Sequence, residues 1–305
     1  MAPPAPPQIS TRAHRDVKIV VLMGATGTGK SRLSIDLATR YFPSSEIINC
    51  DKIQLYKGLD ITTNKIPPHE RRGVVHHLLG EFEAELSAAE YRSLASAVIT
   101  DVVSRRKVPL LVGGSNSFIH ALLAERFDPH YDPFPGSGSG SISSSLRYTC
   151  CFLWVDVSVP VLNEYLLKRV DDMLKSGMFE ELESYFTSPA SLSAAGINRA
   201  IGVPEFEPYF RKYPRTIEDD DDAAGERIEC CARAVKAIKE NTCQLAKRQM
   251  GKILRLREAG WDLKRLDATE TFRAVMAEET AADGAWERDV VEPSVKIVKR
   301  FLADE

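Results

Sequence analysis

The sequence predicts an α/β fold in which helices flank a mainly parallel sheet. Along its 305 residues, short apolar runs alternate with segments of helical periodicity, the pattern of strands joined by crossover helices. The first run is followed by Gly24–Ser31, which reads G-x-x-x-x-G-K-S, and then by a helical pattern. Strand, glycine-rich loop and helix form the context in which this motif binds phosphate. We therefore expect a phosphate-loop NTPase-like sheet with a smaller helical subdomain.

The predicted elements follow the chain in a regular order. Each predicted strand ends in polar or glycine residues, as expected for buried parallel strands. The predicted strands are 18–23, 46–50, 108–112 and 151–155, with 263–266 as a candidate fifth. The clearest predicted helices are 88–104, a long one at about 225–257 and a closing amphipathic one at 295–302.

Composition suggests four segments. Residues 1–16 are rich in proline and predict a disordered tail, 17–160 a phosphate-loop core, and 161–230 a helical subdomain. Residues 231–305 would complete the core with the long helix, the last strand and the closing helix. The Gly/Ser run at 136–141 predicts a flexible loop, and the acidic run at 218–222 predicts a solvated one. The tail resembles the end of a transit peptide but is too short to be a complete one, so a flexible tail is the favoured interpretation.

Charge and cysteine content exclude several classes of protein. A net charge of −3 gives no general attraction to nucleic acid or anionic membrane. No apolar run approaches the roughly 20 residues needed to span a bilayer. The six cysteines are scattered, without zinc spacing, which favours a reducing compartment. His76 and His77 are adjacent and lack a third ligand nearby in sequence, so we do not expect a metal there.

The phosphate loop supplies three kinds of contact to an anion. Its successive backbone N–H groups and the helix N-terminus attract negative charge. Lys30 adds a full positive charge, and the Ser31 hydroxyl is suited to Mg²⁺. Thr26 lies inside the loop, where its hydroxyl either donates to a phosphate oxygen or is merely tolerated.

Polar residues also follow the other predicted strands. Because ligands of open parallel sheets bind beyond the carboxyl ends of the strands, we expect Asp51, Ser115 and Asp156 to lie near the loop. Asp51 is either a Mg²⁺ ligand or a general base. Asp156 follows four apolar residues, as in metal-binding strands, although a helix cap or supporting role is favoured. Ser115 and Ser117 follow two glycines and either contact a base or phosphate or cap a helix.

Cations on the long helix form a further candidate group. Lys247, Arg248 and Lys252 form either a solvated face or a clamp on polyphosphate, for which the planar fork of Arg248 is best shaped. Arg199 is another candidate for a phosphate contact.

Six motifs in order resemble the isopentenyltransferase family. They are GATGTGKS, INCDKIQLYKGLDITTNK, LLVGGSNSFIHAL, WVDVSVPVLNEYLLKRVDDMLKSGMFEEL, INRAIGVPEF and ENTCQLAKRQMGKI. The resemblance runs from about residue 17 to the C-terminus and is closest to the plant adenylate isopentenyltransferases, which begin cytokinin synthesis. Six motifs in register are far more specific than the phosphate loop alone.

The resemblance implies roles for individual residues. In this family the loop holds the diphosphate of dimethylallyl diphosphate, and Asp51 matches the general base. The implied catalytic residues are Asp51, Thr26 and Lys30. The implied diphosphate-binding residues are Gly27, Thr28, Gly29, Lys30, Ser31 and Arg248, with Ser31 also holding Mg²⁺. The implied nucleotide-binding residues are Asp51, Ser115, Ser117, Arg199, Lys252, Lys247 and Arg169. Tyr165 stands where the family has an arginine, so basic contacts from that helix are reduced.

The implied activity is transfer of the dimethylallyl group to N6 of an adenine nucleotide, ATP or ADP ahead of AMP, with Mg²⁺ as cofactor. We expect small-molecule substrates, no nucleic-acid or membrane partner, a monomer, and a plastid location with the cytosol as the alternative. The alternative functions are a tRNA isopentenyltransferase, a small-molecule kinase using the loop for ATP, and a non-catalytic nucleotide-binding protein. The zinc finger usual in eukaryotic tRNA-modifying relatives is missing from this sequence, which disfavours the first alternative.

Overall fold

The computed structural model describes residues 16–134, 142–188, 195–214 and 224–304. The predicted tail up to residue 15, the Gly/Ser run at 136–141 and the acidic run at 218–222 lie outside the described residues.

A six-stranded sheet forms the centre of the molecule. Its strands are β1 (Lys18–Met23), β2 (Ser45–Asn49), β3 (His76–His77), β4 (Val108–Gly113), β5 (Thr149–Asp156) and β6 (Leu263–Asp267). They lie in the order β3-β2-β4-β1-β5-β6, and every pair is parallel. The predicted α/β class is therefore confirmed, and the carboxyl ends of β1, β2 and β4 lie side by side.

Strand β1 shows why the sheet is covered on both faces. Ile19, Val21 and Met23 enter one apolar cluster, whereas Val20 and Leu22 enter the cluster on the opposite face. All five side chains are fully buried. An uninterrupted apolar run is what a parallel strand needs when helices cover both of its faces.

Helices fill the crossovers and the C-terminal part of the chain. They are α1 (Lys30–Asp36), α2 (Ala88–Ser104), α3 (Asn116–Leu123), α4 (Val159–Lys175), α5 (Met178–Thr187), α6 (Val203–Lys212), α7 (Ala224–Glu258), α8 (Thr269–Met276), α9 (Ala282–Trp286) and α10 (Glu292–Ala303). Helix α2 begins with a capping box in which Ser87 and Glu90 satisfy each other's backbone N–H groups. None of the helices in the described ranges is both long and apolar enough to cross a membrane.

The helical region proposed for 161–230 contains an apolar cluster of its own. Met178, Leu182 and Phe206 are fully buried there. Tyr56 and Leu59, from the segment after β2, join the same cluster. The Glu181 carboxylate accepts the backbone N–H groups of residues 61 and 62 at 2.9 and 2.8 Å. The helical region is thereby attached directly to the segment that follows Asp51.

Most predicted elements are present, with small changes at their ends. The candidate fifth strand is β6, the long helix is α7, and the closing helix is α10, which begins three residues earlier than expected. Strand β3 was missed because it has only two residues, which carry no periodicity. It pairs His76 and His77 with Ile47 and Ile48 at the edge of the sheet.

Candidate active site

A cavity of about 690 Å³ opens at the carboxyl ends of β1, β2 and β4. Residues of the phosphate loop and of the segment after β2 both line it. Helices α4 and α8 contribute further lining. The polar lining residues nearest the loop and strand ends are Thr26, Lys30, Ser31, Asn49, Asp51 and Arg169.

Glycines are required at two points of the loop. Gly27 and Gly29 have φ values of 82° and 90°, in the left-handed region. A Cβ at Gly27 would lie 2.6 Å from a Leu166 methyl carbon, and one at Gly29 would lie 2.8 Å from the Trp286 ring. Gly29 caps the N-terminus of α1, so the first backbone N–H groups of that helix face the cavity side.

Lys30 and Asp51 both line this cavity. Lys30 Nζ donates to the Ala25 carbonyl at 2.6 Å. Burial lowers the pKa of Lys30 to about 8, while the negative charge of Asp51 acts to raise it. The Asp51 Oδ1 atom accepts the Ile53 N–H at 3.1 Å, which fixes the carboxylate at the end of β2.

Arg169 lies directly against the phosphate loop. Its Nη2 donates to the Thr26 hydroxyl at 3.1 Å. Its Nε is buried without a protein partner among the described residues. Burial lowers the pKa of Arg169, while Tyr165 and Asp51 act to raise it. Sequence reasoning assigned Arg169 to the nucleotide, and the structure shows that this side chain contacts Thr26 of the phosphate loop.

Ser31 and Thr28, two predicted site residues of the loop, differ in whether they line the cavity. Ser31 lines the cavity. Thr28 is buried, does not line the cavity, and donates its hydroxyl to the Ala25 carbonyl at 3.0 Å. The Thr28 side chain therefore shapes the loop, and a diphosphate contact by this residue stays a prediction.

The other strand-end residues do not all reach the cavity. Ser115 Oγ accepts the Lys52 N–H at 2.8 Å, which braces the segment after Asp51. Neither Ser115 nor Ser117 lines the cavity. Asp156 also lies outside it and binds Arg265 Nε on β6 at 2.7 Å. Asp156 follows Val155, whose carbonyl lies against Gly24 of the loop, but its carboxylate is directed to the neighbouring strand.

The four cations proposed for phosphate contacts lie outside this cavity. Arg199 is 62% exposed and binds Glu85 at 2.7 Å, and Glu85 also binds Lys52. On α7, Lys247 and Arg248 are exposed. Lys252 Nζ lies 5.0 Å from the centre of the Phe134 ring. None of the four cations lines the cavity, and their contacts with phosphate stay predictions.

Sequence reasoning missed three residues that contact the loop. Gln249, on α7, accepts the Thr26 N–H at 2.7 Å. Gln249 directly follows Arg248 in the motif ENTCQLAKRQMGKI, so a sequence signal was present. The predictions for this helix concerned only charged residues and therefore left Gln249 out. Trp286 packs on Gly29, and its Nε1 donates to Asp36 at 2.9 Å. Phe272 also approaches Gly29. No sequence pattern links the last two to the loop.

Aromatic side chains form an apolar wall beside the loop. The Tyr165 and Phe272 rings meet edge to face with centres 4.7 Å apart, and both line the cavity. Trp286 and Met173 also line the cavity. The cavity therefore combines apolar side chains with the polar residues of the loop and strand ends.

The oxygen atoms that line the cavity fit a Mg²⁺ ion whose other ligands come mainly from the substrate phosphates and water. No cluster of three or more His, Cys, Asp or Glu side chains with metal-binding geometry occurs in the described ranges. Mg²⁺ commonly keeps several waters and binds one or two protein oxygens together with substrate phosphates. The Ser31 hydroxyl and the Asp51 carboxylate both line the cavity and provide such oxygens.

Comparisons with known proteins agree on one family. The IPP transferase family model matches residues 54–136 and 131–253. An adenylate isopentenyltransferase of Humulus lupulus is 57% identical over 295 residues, with 92% of this chain and 89% of the relative covered. The Arabidopsis thaliana protein named adenylate isopentenyltransferase 1, chloroplastic, is 56% identical, with 96% and 83% covered. Another Arabidopsis relative, 46% identical with 96% and 83% covered, is named mitochondrial.

The fold is also found in solved structures. A eukaryotic dimethylallyltransferase acting on tRNA matches with a TM-score of 0.72 at 22% sequence identity, covering 95% of this chain and 80% of the other. The likeness at this identity concerns the fold alone. The curated relatives and the family model carry the assignment: the chain belongs to the IPP transferase family, on the branch of the plant adenylate isopentenyltransferases.

Proposed function

We propose that the protein transfers the dimethylallyl group of dimethylallyl diphosphate to N6 of an adenine nucleotide, the first step of cytokinin synthesis. ATP and ADP are the proposed acceptors ahead of AMP. The observation that carries the proposal is that one cavity is lined by the Asp51 carboxylate together with the cations Lys30 and Arg169, and that the charge of Asp51 acts on both cations. A carboxylate base next to an anion-binding site suits a substitution in which a proton and a diphosphate both leave the reacting groups.

The phosphate loop holds the leaving group in this proposal. The N–H groups at the start of α1, together with Lys30 and Arg169, supply positive charge in a partly buried site. Groups fixed in advance of the reaction stabilise charge that develops in the transition state. The buried, unpartnered Arg169 Nε supports this role, because a diphosphate oxygen would satisfy it. Mg²⁺ held by the Ser31 hydroxyl would neutralise part of the same charge, which leaves the Asp51 carboxylate available as the base.

Asp51 acts on the nucleophile. The N6 lone pair of adenine is delocalised into the ring, so the free amine is weakly nucleophilic. As N6 bonds to C1 of the prenyl group, the C1–O bond breaks and the electron pair leaves with the diphosphate. The N6 proton passes to the Asp51 carboxylate. The aromatic wall of Tyr165 and Phe272 limits access of water to the allylic carbon while its positive charge is spread.

Asp51→Asn tests the proposed base. The substitution keeps size and hydrogen-bonding capacity but removes the proton acceptor. We expect turnover to fall by about 100- to 10,000-fold, the usual contribution of a general base, while ATP binding measured by calorimetry is retained.

The matched control is Asp156→Asn, which changes a strand-end carboxylate outside the cavity. It should keep wild-type turnover, with circular dichroism confirming the fold of both variants. Wild-type turnover by the Asp51→Asn protein would show that the base is a different group.

The molecule that accepts the prenyl group distinguishes the tRNA-modifying alternative from the proposed function. Unmodified tRNA and ADP would be offered together with labelled dimethylallyl diphosphate. The net charge of −3 supports the mononucleotide. Label in tRNA and none in ADP would reverse the assignment. The order of ATP, ADP and AMP follows from mass spectrometry of products formed when the three compete.

We also propose a plastid location. The proposal is supported by relatives that are 56% and 52% identical and are named chloroplastic. One relative is named mitochondrial, so the mitochondrion is the second compartment to test. Imaging of a fluorescent fusion of the full chain distinguishes these compartments from the cytosol.

A further inference from the structure

One uncharged side chain joins three parts of the proposed site. Gln249 lies on α7 and is 8% exposed. Its Oε1 accepts the Thr26 N–H at 2.7 Å. Its Nε2 lies against Gly114, where an added Cβ would approach to 2.7 Å. The backbone carbonyl of Gln249 accepts Asn116 Nδ2 at 3.2 Å. The phosphate loop, the glycine turn after β4 and α7 are therefore held together at this residue.

The contact with Gln249 determines what Thr26 presents to the cavity. The Thr26 backbone N–H donates to Gln249, so it is not available to bind an anion together with the other N–H groups of the loop. Its hydroxyl accepts from Arg169, and a hydroxyl has one hydrogen and two acceptor sites. The hydroxyl hydrogen therefore remains available for donation. Since Thr26 lines the cavity, that hydrogen can reach an oxygen of the leaving group.

We propose that Gln249 is a positioning residue for prenyl transfer. By fixing the Thr26 backbone, it sets the place from which the Thr26 hydroxyl donates to the departing diphosphate. This inference rests on the proposed function. The glycine at position 114 is then explained, because a larger residue would displace the Gln249 amide. Gln249 itself touches neither substrate in this account.

If Gln249 only stabilised the fold, its loss would lower stability at least as much as turnover. Helix α7 is anchored by several buried apolar residues, including Ile238, Ala246, Ile253 and Leu256. Losing one polar contact on this helix should leave the fold intact. A loss of turnover greater than the loss of stability or of diphosphate binding would therefore identify positioning.

The test compares Gln249→Met with Gln249→Glu. Methionine keeps the length of the side chain but offers only a weak acceptor. Glutamate retains a strong acceptor for the Thr26 N–H and adds negative charge near the loop. The full chain would be assayed for kcat and for KM of dimethylallyl diphosphate, with ATP and Mg²⁺ saturating. Inorganic pyrophosphate, as a competitive inhibitor, probes the loop separately, and the unfolding midpoint reports the fold.

We expect Gln249→Met to lower kcat by about 10- to 100-fold, the range expected when a reacting group is misplaced. The inhibition constant of pyrophosphate should change by less than about threefold, because the anion-binding N–H groups are untouched. Gln249→Glu should regain much of the lost kcat while binding pyrophosphate more weakly. Gln244→Met, an exposed position on the same helix, should match the wild type.

Three outcomes would overturn the proposal. One is a kcat of Gln249→Met within about threefold of the wild type, whether or not the unfolding midpoint changes. The second is a rise in the pyrophosphate inhibition constant as large as the fall in kcat, which would make Gln249 a binding residue. The third is a wild-type protein that prenylates none of the adenine nucleotides, which would refute the proposed function and this role together.

Discussion

Single residues of the cavity owe their chemistry to burial. Burial lowers the pKa of Lys30 and of Arg169, because both cations lose water at the loop. Asp51 opposes both effects through its negative charge. A diphosphate would add the missing negative charge and favour the protonated form of both cations. Binding of the leaving group is thereby coupled to the protonation of Lys30.

The lowered pKa of Lys30 predicts a basic limit to activity. Free Lys30 titrates at about 8, so its positive charge is lost as the pH rises through this value. The kcat/KM for dimethylallyl diphosphate should fall about tenfold per pH unit above that point, since this parameter reports the free enzyme. The free energy of unfolding should instead rise between about pH 8 and pH 10.5, because Lys30 binds a proton in the unfolded chain but not in the folded one over this range.

Lys30→Arg provides the comparison for this pH profile. Arginine stays protonated over the whole range, so the remaining activity of the variant should lack the basic limb. A wild-type kcat/KM that stays level to pH 9.5 would show that Lys30 does not titrate near 8. In that case another group would balance its charge in the free protein.

Residue type explains much of what could be predicted at this scale. Lys30, Ser31 and Asp51 are recognised because their chemistry and spacing fit a motif, and all three line the cavity. Charged residues on α7 also fit a motif, yet Gln249 makes the contact with the loop. A cation has a long flexible stem, so its sequence position on a helix does not specify where its charge will lie.

At the scale of elements, β2 carries charge at both of its ends. Asp51 follows its carboxyl end, and Glu46 is buried near its amino end. The Glu46 carboxylate accepts two hydrogen bonds from Arg105, at 2.6 and 2.7 Å, and one from Lys107 at 2.6 Å. His77 lies 2.7 Å from the same carboxylate. These contacts join β2, β3 and the turn before β4 on the side away from the cavity.

Glu46→Gln tests the contribution of this cluster to stability. The hydrogen bonds of Arg105 hold the pKa of Glu46 well below its usual value. We expect the substitution to lower the free energy of unfolding at pH 7 by about 1.5–3 kcal/mol, the range for hydrogen bonds to charged groups. Because the folded-state pKa is lowered, the stabilisation is present above about pH 4.5 and is lost as the pH falls further.

Urea denaturation at several pH values measures this effect. The loss of stability in acid should be smaller in Glu46→Gln than in the wild type. Glu83→Gln is the control, since Glu83 pairs with Lys57 at the surface and should contribute less than about 1 kcal/mol. Equal stability of the wild type and Glu46→Gln at pH 7 would rule out a structural role for the cluster.

The elements themselves differ in how far the sequence predicts them. Apolar runs such as β1 are unambiguous because both faces are buried. Strand β3 is specified instead by its neighbours: His77 binds Glu46 and the backbone pairs with β2. Two residues are too few for a periodic pattern, so this strand follows from tertiary contacts.

At the scale of the whole molecule, the C-terminal part of the chain completes the site. Phe272 and Trp286 pack beside Gly29, more than two hundred positions earlier in the sequence. Helix α7 passes from the helical region to the phosphate loop and delivers Gln249. Contacts of this separation leave no local pattern, which is why the sequence predicts the strand-end residues but not the wall behind them.

The central claim is that the phosphate loop holds the diphosphate that departs, while the nucleotide keeps its own phosphates. The direct measurement uses dimethylallyl diphosphate labelled in its β-phosphate together with unlabelled ATP and Mg²⁺. Products would be separated and identified by mass spectrometry. The account predicts that all the label leaves as inorganic pyrophosphate, with prenylated ATP retaining three unlabelled phosphates. Release of ADP with a phosphorylated second product would contradict it, because the loop would then bind ATP for phosphoryl transfer.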